Sequence, residues 1–162
     1  MDDQYRHPYL DADVYIAWIK GESRHGRPCK PIVDHILRHA EAGTFRIGIS
    51  TLMLAEVHKT RAGPTLSRAE DDTLLAFFEH DYFDFVDVDR NIGEDANRLC
   101  RRYGLRPNDA IHLASALRLG CDVLLTWDER FLSVQHPNIR IEEPEMRGQL
   151  SLPPLTNGAD ST

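Results

Sequence analysis

Short apolar runs of strand character alternate along this chain with segments of helical period, and that alternation restricts the fold more than any other feature. Residues 8–13 open with a short extended element that runs into an acidic pair, Asp11 and Asp13. A brief helix is expected over residues 14–20, stopped near Gly21, and the polar, basic stretch 22–30 reads as a loop. Ile32, Val33, Ile36, Leu37 and Ala40 then recur at helical spacing, with Gly43 as terminator. Residues 45–49 alternate as a strand does, and Ser50 or Thr51 can cap the helix carrying Leu52, Ala55 and Glu56, which should end before Gly63-Pro64.

The second half repeats the pattern. Ser67 and Glu70 form a capping-box pair that opens a helix to about Phe78, and residues 83–88 read as a strand. Asn91 and Glu94 repeat the capping geometry ahead of a helical face of Ile92, Ala96, Leu99 and Tyr103, with Gly104 as the stop. Pro107 and Asn108 begin another helix, with Ile111, Ala114 and Leu117 expected inward and Gly120 at its end. Residues 123–125 form a compact apolar strand and residues 140–142 a short final one. Strands alternating with helices of this length favour an α/β sandwich around a mainly parallel sheet. The 162 residues fit one domain, expected over 1–143, and the Pro-, Gly-, Ser- and Thr-rich residues 144–162 read as a flexible tail.

Composition narrows the functional classes. No run approaches the roughly 18 to 20 apolar residues of a membrane span, and the polar start lacks the apolar segment of a secretory signal. Cys29, Cys100 and Cys121 are odd in number and widely spaced, which fits a reducing cytoplasm better than a disulfide framework. The formal charge of −7, from 26 acidic and 19 basic residues, argues against a nonspecific nucleic-acid coat. It leaves room for a pocket in which carboxylates bind cations and the sign of the local charge reverses.

The acids suggest such a pocket. Ligands of open α/β sheets bind beyond the carboxyl ends of the strands, where Asp11 and Asp13 follow the first strand and Asp128 follows the apolar run 123–125. Glu56 and Asp109 lie on helices, Asp109 in a first turn where the helix dipole favours its ionised form. Carboxylates that hold divalent cations can neutralise a phosphodiester, and a pair of ions about 3.5 to 4 Å apart can stabilise both entering and leaving oxygens. An oxygen donor set suits Mg2+ or Mn2+ better than zinc. Asp11, Glu56, Asp109 and Asp128 are the candidate metal-site acids, with Asp13 as a fifth and Thr126 as a hydrogen-bonding support. The competing reading gives Asp109 to the helix dipole and Asp128 to a turn. Glu56 stands among Leu52, Leu54, Ala55 and Val57, where a buried carboxylate requires a partner.

Four segments in order resemble the PIN-domain family: YLDADV at residues 9–14, STLMLAEV at 50–57, NDAIHLASAL at 108–117 and LLTWDERF at 124–131. The resemblance implies a three-layer α/β/α sandwich with a central parallel sheet and a Mg2+- or Mn2+-dependent ribonuclease site. The family's acids carry over to Asp11, Glu56, Asp109 and Asp128, with Thr126 at the hydroxyl position before the last acid. The branch it looks most like is the VapC-like toxins of type II toxin–antitoxin pairs, which implies a homodimer and a small VapB-like antitoxin as partner. RNA contacts are expected from Arg24, Arg27 and Lys30 in the early loop and from Arg101, Arg102 and Arg106 before the third acid, while Trp18 and Trp127 read either as stacking platforms or as core residues.

Two other readings use the same residues. One is a noncatalytic RNA-binding or protein-interaction module on this fold. The other is a haloacid-dehalogenase-type phosphatase, in which Asp11 is a nucleophile, Lys59 the basic residue and Asp122 the later acid. His112, three residues after Asp109, is expected to pack or cap on its helix.

Overall fold

The computed structural model describes residues 4–60 and 67–150. Along the chain run β1 (Pro8–Leu10), α1 (Ala12–Lys20), a hairpin of β2 (Ser23–Arg24) and β3 (Arg27–Pro28), α2 (Cys29–Glu41) and β4 (Ile47–Ser50). There follow α3 (Leu52–Glu56), a 3-10 turn (Val57–Thr60), α4 (Arg68–Phe77), β5 (Phe83–Val86) and α5 (Arg90–Tyr103). The chain continues through α6 (Pro107–Arg118), β6 (Val123–Leu125), α7 (Glu129–Leu132) and β7 (Arg140–Glu142). Five strands form one sheet in the order β5-β4-β1-β6-β7, every neighbouring pair parallel.

The sheet is covered on both faces, giving a three-layer α/β/α sandwich. Leu10, Ile47, Ile49, Val123 and Leu125 pack on one side with residues of α1 and α2, among them Val14, Tyr15, Val33 and Ile36. Tyr9 and Leu124 point to the other side, against Ile92, Leu99, Ala110 and Leu113 of α5 and α6. Burial on both faces explains why the central strands read as continuous apolar runs. The chain builds outward from β1 through β4 to β5, then crosses back through α5 and α6 to β6 and β7 on the other side of β1. Strand order therefore reverses between β1 and β6, and the crevice of such a sheet opens at the carboxyl ends of those two strands.

Local chemistry accounts for most of the boundaries. Asp11 caps α1 by accepting a hydrogen bond from the Val14 amide, and Gly21 ends the helix at φ 65°. The Ser67–Glu70 capping box is complete at the start of α4. α5 differs from expectation: its cap is Asp89, which accepts from the Ile92 amide, while Glu94 pairs with Arg90 one turn away. The expected loop 22–30 contains the β2–β3 hairpin, whose two-residue strands are too short to show alternation. The strand expected to reach Val88 stops at Val86, and the Val88 amide instead donates to the Thr51 hydroxyl.

α6 also corrects its expected face. Ile111 and Leu117 are half-buried, whereas Ala110, His112, Leu113, Ala114, Ser115 and Ala116 are buried. The cause is that α6 lies between α5 and the sheet, so most of its circumference meets protein. The segment after Glu143, read as the start of a tail, is anchored at first. Pro144 is buried, the Glu145 amide donates to the Tyr5 hydroxyl, and the Arg147 guanidinium lies over the Tyr5 ring. Residues 151–162 of that expected tail and the expected stop at Gly63-Pro64 lie outside the described residues. Among the described residues, no helix is long and apolar enough to cross a membrane.

Gly48 marks the tightest point of the sheet. It faces Tyr9 across the β1–β4 pair, and a Cβ there would stand 2.6 Å from Cys121 Sγ and 3.1 Å from both Leu119 Cδ1 and Tyr9 Cδ2. Gly48→Ala should therefore destabilise the fold by about 1–3 kcal/mol, the usual range for overpacking. Urea unfolding would measure this, and Gly48→Ala/Cys121→Ala should be less destabilised than the sum of its single variants.

Candidate functional site

Asp11 leaves the carboxyl end of β1 at the reversal of strand order. Its amide donates to the Leu125 carbonyl at 3.2 Å, which extends the β1–β6 pairing by one residue. Its carboxylate is 3% exposed and accepts the Val14 amide at 3.2 Å, with the Thr126 hydroxyl beside it. Burial pushes its pKa well above the usual 3.8, and the Asp13 and Asp109 charges add to the rise. Thr126 and the Val14 amide offset part of it. Among the described residues, Asp11 makes no salt bridge.

The other acids approach from separate elements, each with a partner. Asp109, in the first turn of α6, accepts from Arg106 Nε at 3.1 Å. Asp128, which follows β6, accepts from Arg106 Nη2 at 2.6 Å through Oδ2. Its Oδ1 caps α7 by accepting the Arg130 and Phe131 amides, and its own amide donates to the Thr126 hydroxyl. Asp13 pairs with Arg24 at 3.1 Å.

Glu56 at the end of α3 is 5% exposed. It accepts from Asn108 Nδ2 at 2.8 Å and lies 2.6 Å from His112 Nε2. His112 Nδ1 is in turn 2.7 Å from the Tyr9 hydroxyl. The tautomer that satisfies this network donates from Nε2 to Glu56 and accepts from Tyr9 at Nδ1. The first two turns of α6 thus join the acids: Asn108 and His112 reach Glu56, Asp109 flanks Asp11, and Arg106 bridges to Asp128.

His112, Asn108 and Tyr9 are the site residues that sequence reasoning missed. His112 was expected to pack or cap, yet it supplies a buried hydrogen bond to Glu56. A buried acid among apolar neighbours signalled that Glu56 needed a partner, but nothing in the spacing said which. Of the six basic residues expected to meet RNA, Arg24 is held by Asp13 and Glu22, Arg27 by Glu143 and Lys30 by Asp34. Arg102 lies over the Tyr103 ring, and Arg101 is exposed. Trp127 is buried in the core, and the half-buried Trp18 packs on Phe77 while donating to Asp34.

The donor set suits a hard cation. Mg2+ is commonly held by one or two carboxylates plus water and substrate phosphate rather than by a full protein cage. Asp11, desolvated and without a salt bridge among the described residues, and its neighbour Asp109 carry such oxygens. Among the described residues, no group of three or more His, Cys, Asp or Glu side chains is arranged so that it could hold a metal ion. Asp109 is also engaged by Arg106, as Glu56, Asp13 and Asp128 are by their own partners.

The PIN domain family model matches residues 9–137. Ribonuclease VapC45 of Mycobacterium tuberculosis (strain CDC 1551 / Oshkosh) and Ribonuclease VapC49 of the same species (strain ATCC 25618 / H37Rv) are each 33% identical over 95 residues, 54% of this chain. The chain spans 66% of the length of each of these relatives. A toxin–antitoxin complex from Klebsiella pneumoniae is similar with a TM-score of 0.56 at 18% identity, covering 82% of this chain and 94% of that one. VapBC2 from Rickettsia felis, bound to a DNA fragment from their promoter, gives 0.57 at 18% identity, over 85% and 98% of the two chains. At that identity the two structures share the fold.

The environment of Asp11 has a thermodynamic consequence. Because its pKa is raised on folding, the stability it contributes is fully present below the unfolded value of 3.8 and is lost as pH rises through the folded value. Asp11→Asn keeps an oxygen for the Val14 amide and removes the ionisable group. In EDTA the variant should melt higher than wild type at neutral pH. That difference should shrink as the pH falls toward about 4 and be absent below it. Thermal melts at a series of pH values would show it, and a variant less stable at neutral pH would contradict the assigned environment.

Proposed function

The chain belongs to the PIN domain family, and from that premise we propose that it is a Mg2+- or Mn2+-dependent ribonuclease hydrolysing RNA phosphodiester bonds. The observation that carries the reading is Asp11, a buried carboxylate at the reversal of strand order that makes no salt bridge among the described residues and is flanked by Asp109. The names of the VapC45 and VapC49 ribonucleases support the same class of reaction.

Asp11 and Asp109 would hold the cation, with Asp13, Glu56 and Asp128 as the surrounding acids. Such a cation, when bound, neutralises the phosphate and lowers the pKa of water. The protein supplies orientation. The Thr126 hydroxyl ties the Asp128 backbone to the neighbourhood of Asp11. Asn108 and His112 fix the Glu56 carboxylate from one side of α6, and Tyr9 fixes His112. No protein nucleophile is required. Arg101 is exposed and makes no ion pair among the described residues, which leaves it available to the RNA backbone.

The likeness to VapC ribonucleases and to structures of toxin–antitoxin complexes supports a toxin role in a type II pair. The partners on this reading are a VapB-like antitoxin and a second copy of the chain, in the cytoplasm. The phosphatase reading loses its later acid. Asp122 precedes β6 at the amino end of the sheet, where it accepts from the His7 amide and pairs with Arg140, away from Asp11.

The test offers a mixture of structured RNAs to purified protein with Mg2+, Mn2+ or EDTA. Wild type should cleave only with a divalent cation. Asp11→Asn and Asp109→Asn, each shown to be folded, should lose at least the roughly 100-fold that even the outer partners of a metal ligand command. Wild type that cuts nothing across a broad substrate set would support the noncatalytic module instead. Equal cutting by wild type and both variants would place the site elsewhere.

A further inference from the structure

Arg106 occupies a position that helix electrostatics alone would not give it. It is the N-cap residue of the 12-residue α6, with extended backbone and no capping hydrogen bond. N-caps favour Ser, Thr, Asp and Asn, and the positive end of the helix dipole disfavours a cation. What Arg106 does make is two ion pairs to acids from different elements: Nε to Asp109 Oδ2 at 3.1 Å and Nη2 to Asp128 Oδ2 at 2.6 Å. Its guanidinium spans 22 positions of sequence to reach Asp128.

The oxygens it holds are those a second cation would need. Asp128 Oδ1 is committed to the Arg130 and Phe131 amides, which leaves Oδ2 as the outward oxygen, and Arg106 takes it. On Asp109 it takes Oδ2 as well. The two acids are 15% and 25% exposed in their side chains, while Arg106 is 58% exposed, so the guanidinium covers them from the solvent side. Asp11 and Asp13 add further negative charge nearby.

We propose that Arg106 is the resident counter-ion of this site, holding Asp109 and Asp128 together and competing with a divalent cation for their Oδ2 atoms. This rests on the ribonuclease reading above, since it concerns the same carboxylates. The competition is one that a divalent cation can win. A guanidinium so exposed is bound weakly, and ion pairs of this kind are worth little individually. Arg106 therefore sets the concentration of cation at which the site fills, and stabilises two acids that would otherwise repel each other.

The experiment is a Mn2+ titration of wild type, Arg106→Gln, Arg106→Lys and Asp109→Asn, read by electron paramagnetic resonance of free Mn2+ and by thermal melts. Arg106→Gln should bind Mn2+ about three- to tenfold more tightly than wild type. It should melt lower than wild type in EDTA and gain more on addition of Mn2+. Arg106→Lys, which keeps the charge and loses the fork, should fall between the two. In an Asp109→Asn background the effect of Arg106→Gln on Mn2+ affinity should shrink. A purely structural role for Arg106 would lower stability without tightening Mn2+, so unchanged or weaker binding by a folded Arg106→Gln overturns the inference and leaves the ribonuclease reading standing. Wild type and Arg106→Gln that both fail to bind Mn2+, together with RNA cleavage absent in Mn2+, would overturn both.

Discussion

The seam between β1 and β6 is the constraint on which the rest of the structure depends. Three residue pairs, Pro8 with Val123, Tyr9 with Leu124 and Leu10 with Leu125, hold it in parallel register. The Asp11 amide extends it by one more hydrogen bond to the Leu125 carbonyl. That bond decides where the site is. It places Asp11 beside Thr126 at the point where strand order reverses, and it starts α1 with the Asp11 side chain as its cap. The same seam organises the core, because Leu10 and Leu125 face one helical layer while Tyr9 and Leu124 face the other. A one-residue slip would exchange those faces and carry Asp11 out of the crevice.

α6 is the second organising element, and its composition follows from its double burial. A helix packed between α5 and the sheet has little room for large side chains, and Ala110, Ala114, Ser115 and Ala116 keep the approach close. The larger groups fall where the layers leave space, among them His112, whose ring lies edge-on to Tyr9. The polar end of the same helix then projects Arg106, Asn108 and Asp109 into the crevice. Core packing and site geometry are thus set by one rigid body, which is how carboxylates from distant parts of the sequence keep a fixed relation.

How much of this was legible in the sequence divides along physical lines. Local signals succeeded. The Ser67–Glu70 box, the Gly21 and Gly104 stops and the apolar runs at residues 123–125 reported on near neighbours, and the elements formed as their spacing implied. Alternation and strand composition implied a mainly parallel sheet, while the strand order β5-β4-β1-β6-β7 came only with the structure. What failed depended on contacts across the fold. Glu56 meets Asn108 and His112 at separations of 52 and 56 residues, and Tyr9 meets His112 at 103, so no window contains the network. The basic residues expected to meet RNA show a further limit: Arg24 pairs with Asp13, Arg27 with Glu143 and Lys30 with Asp34, and the first two pairings span more sequence than a local window contains.

Those pairings change what the net charge of −7 means. Around the crevice, acids and arginines neutralise one another: Arg24 with Asp13 on one flank, Arg106 with Asp109 and Asp128 on the other. Glu56 accepts from Asn108 and lies 2.6 Å from His112 Nε2. Asp11 differs from all of these, being buried while its near neighbours are an amide, a hydroxyl and two further acids. Elsewhere in the crevice an incoming cation must compete with an existing donor. At Asp11 it would meet a desolvated carboxylate whose ionisation the protein disfavours, so the electrostatic gain from a positive charge is largest there. On the proposed ribonuclease reading, the arginines on either side would confine that gain to one place.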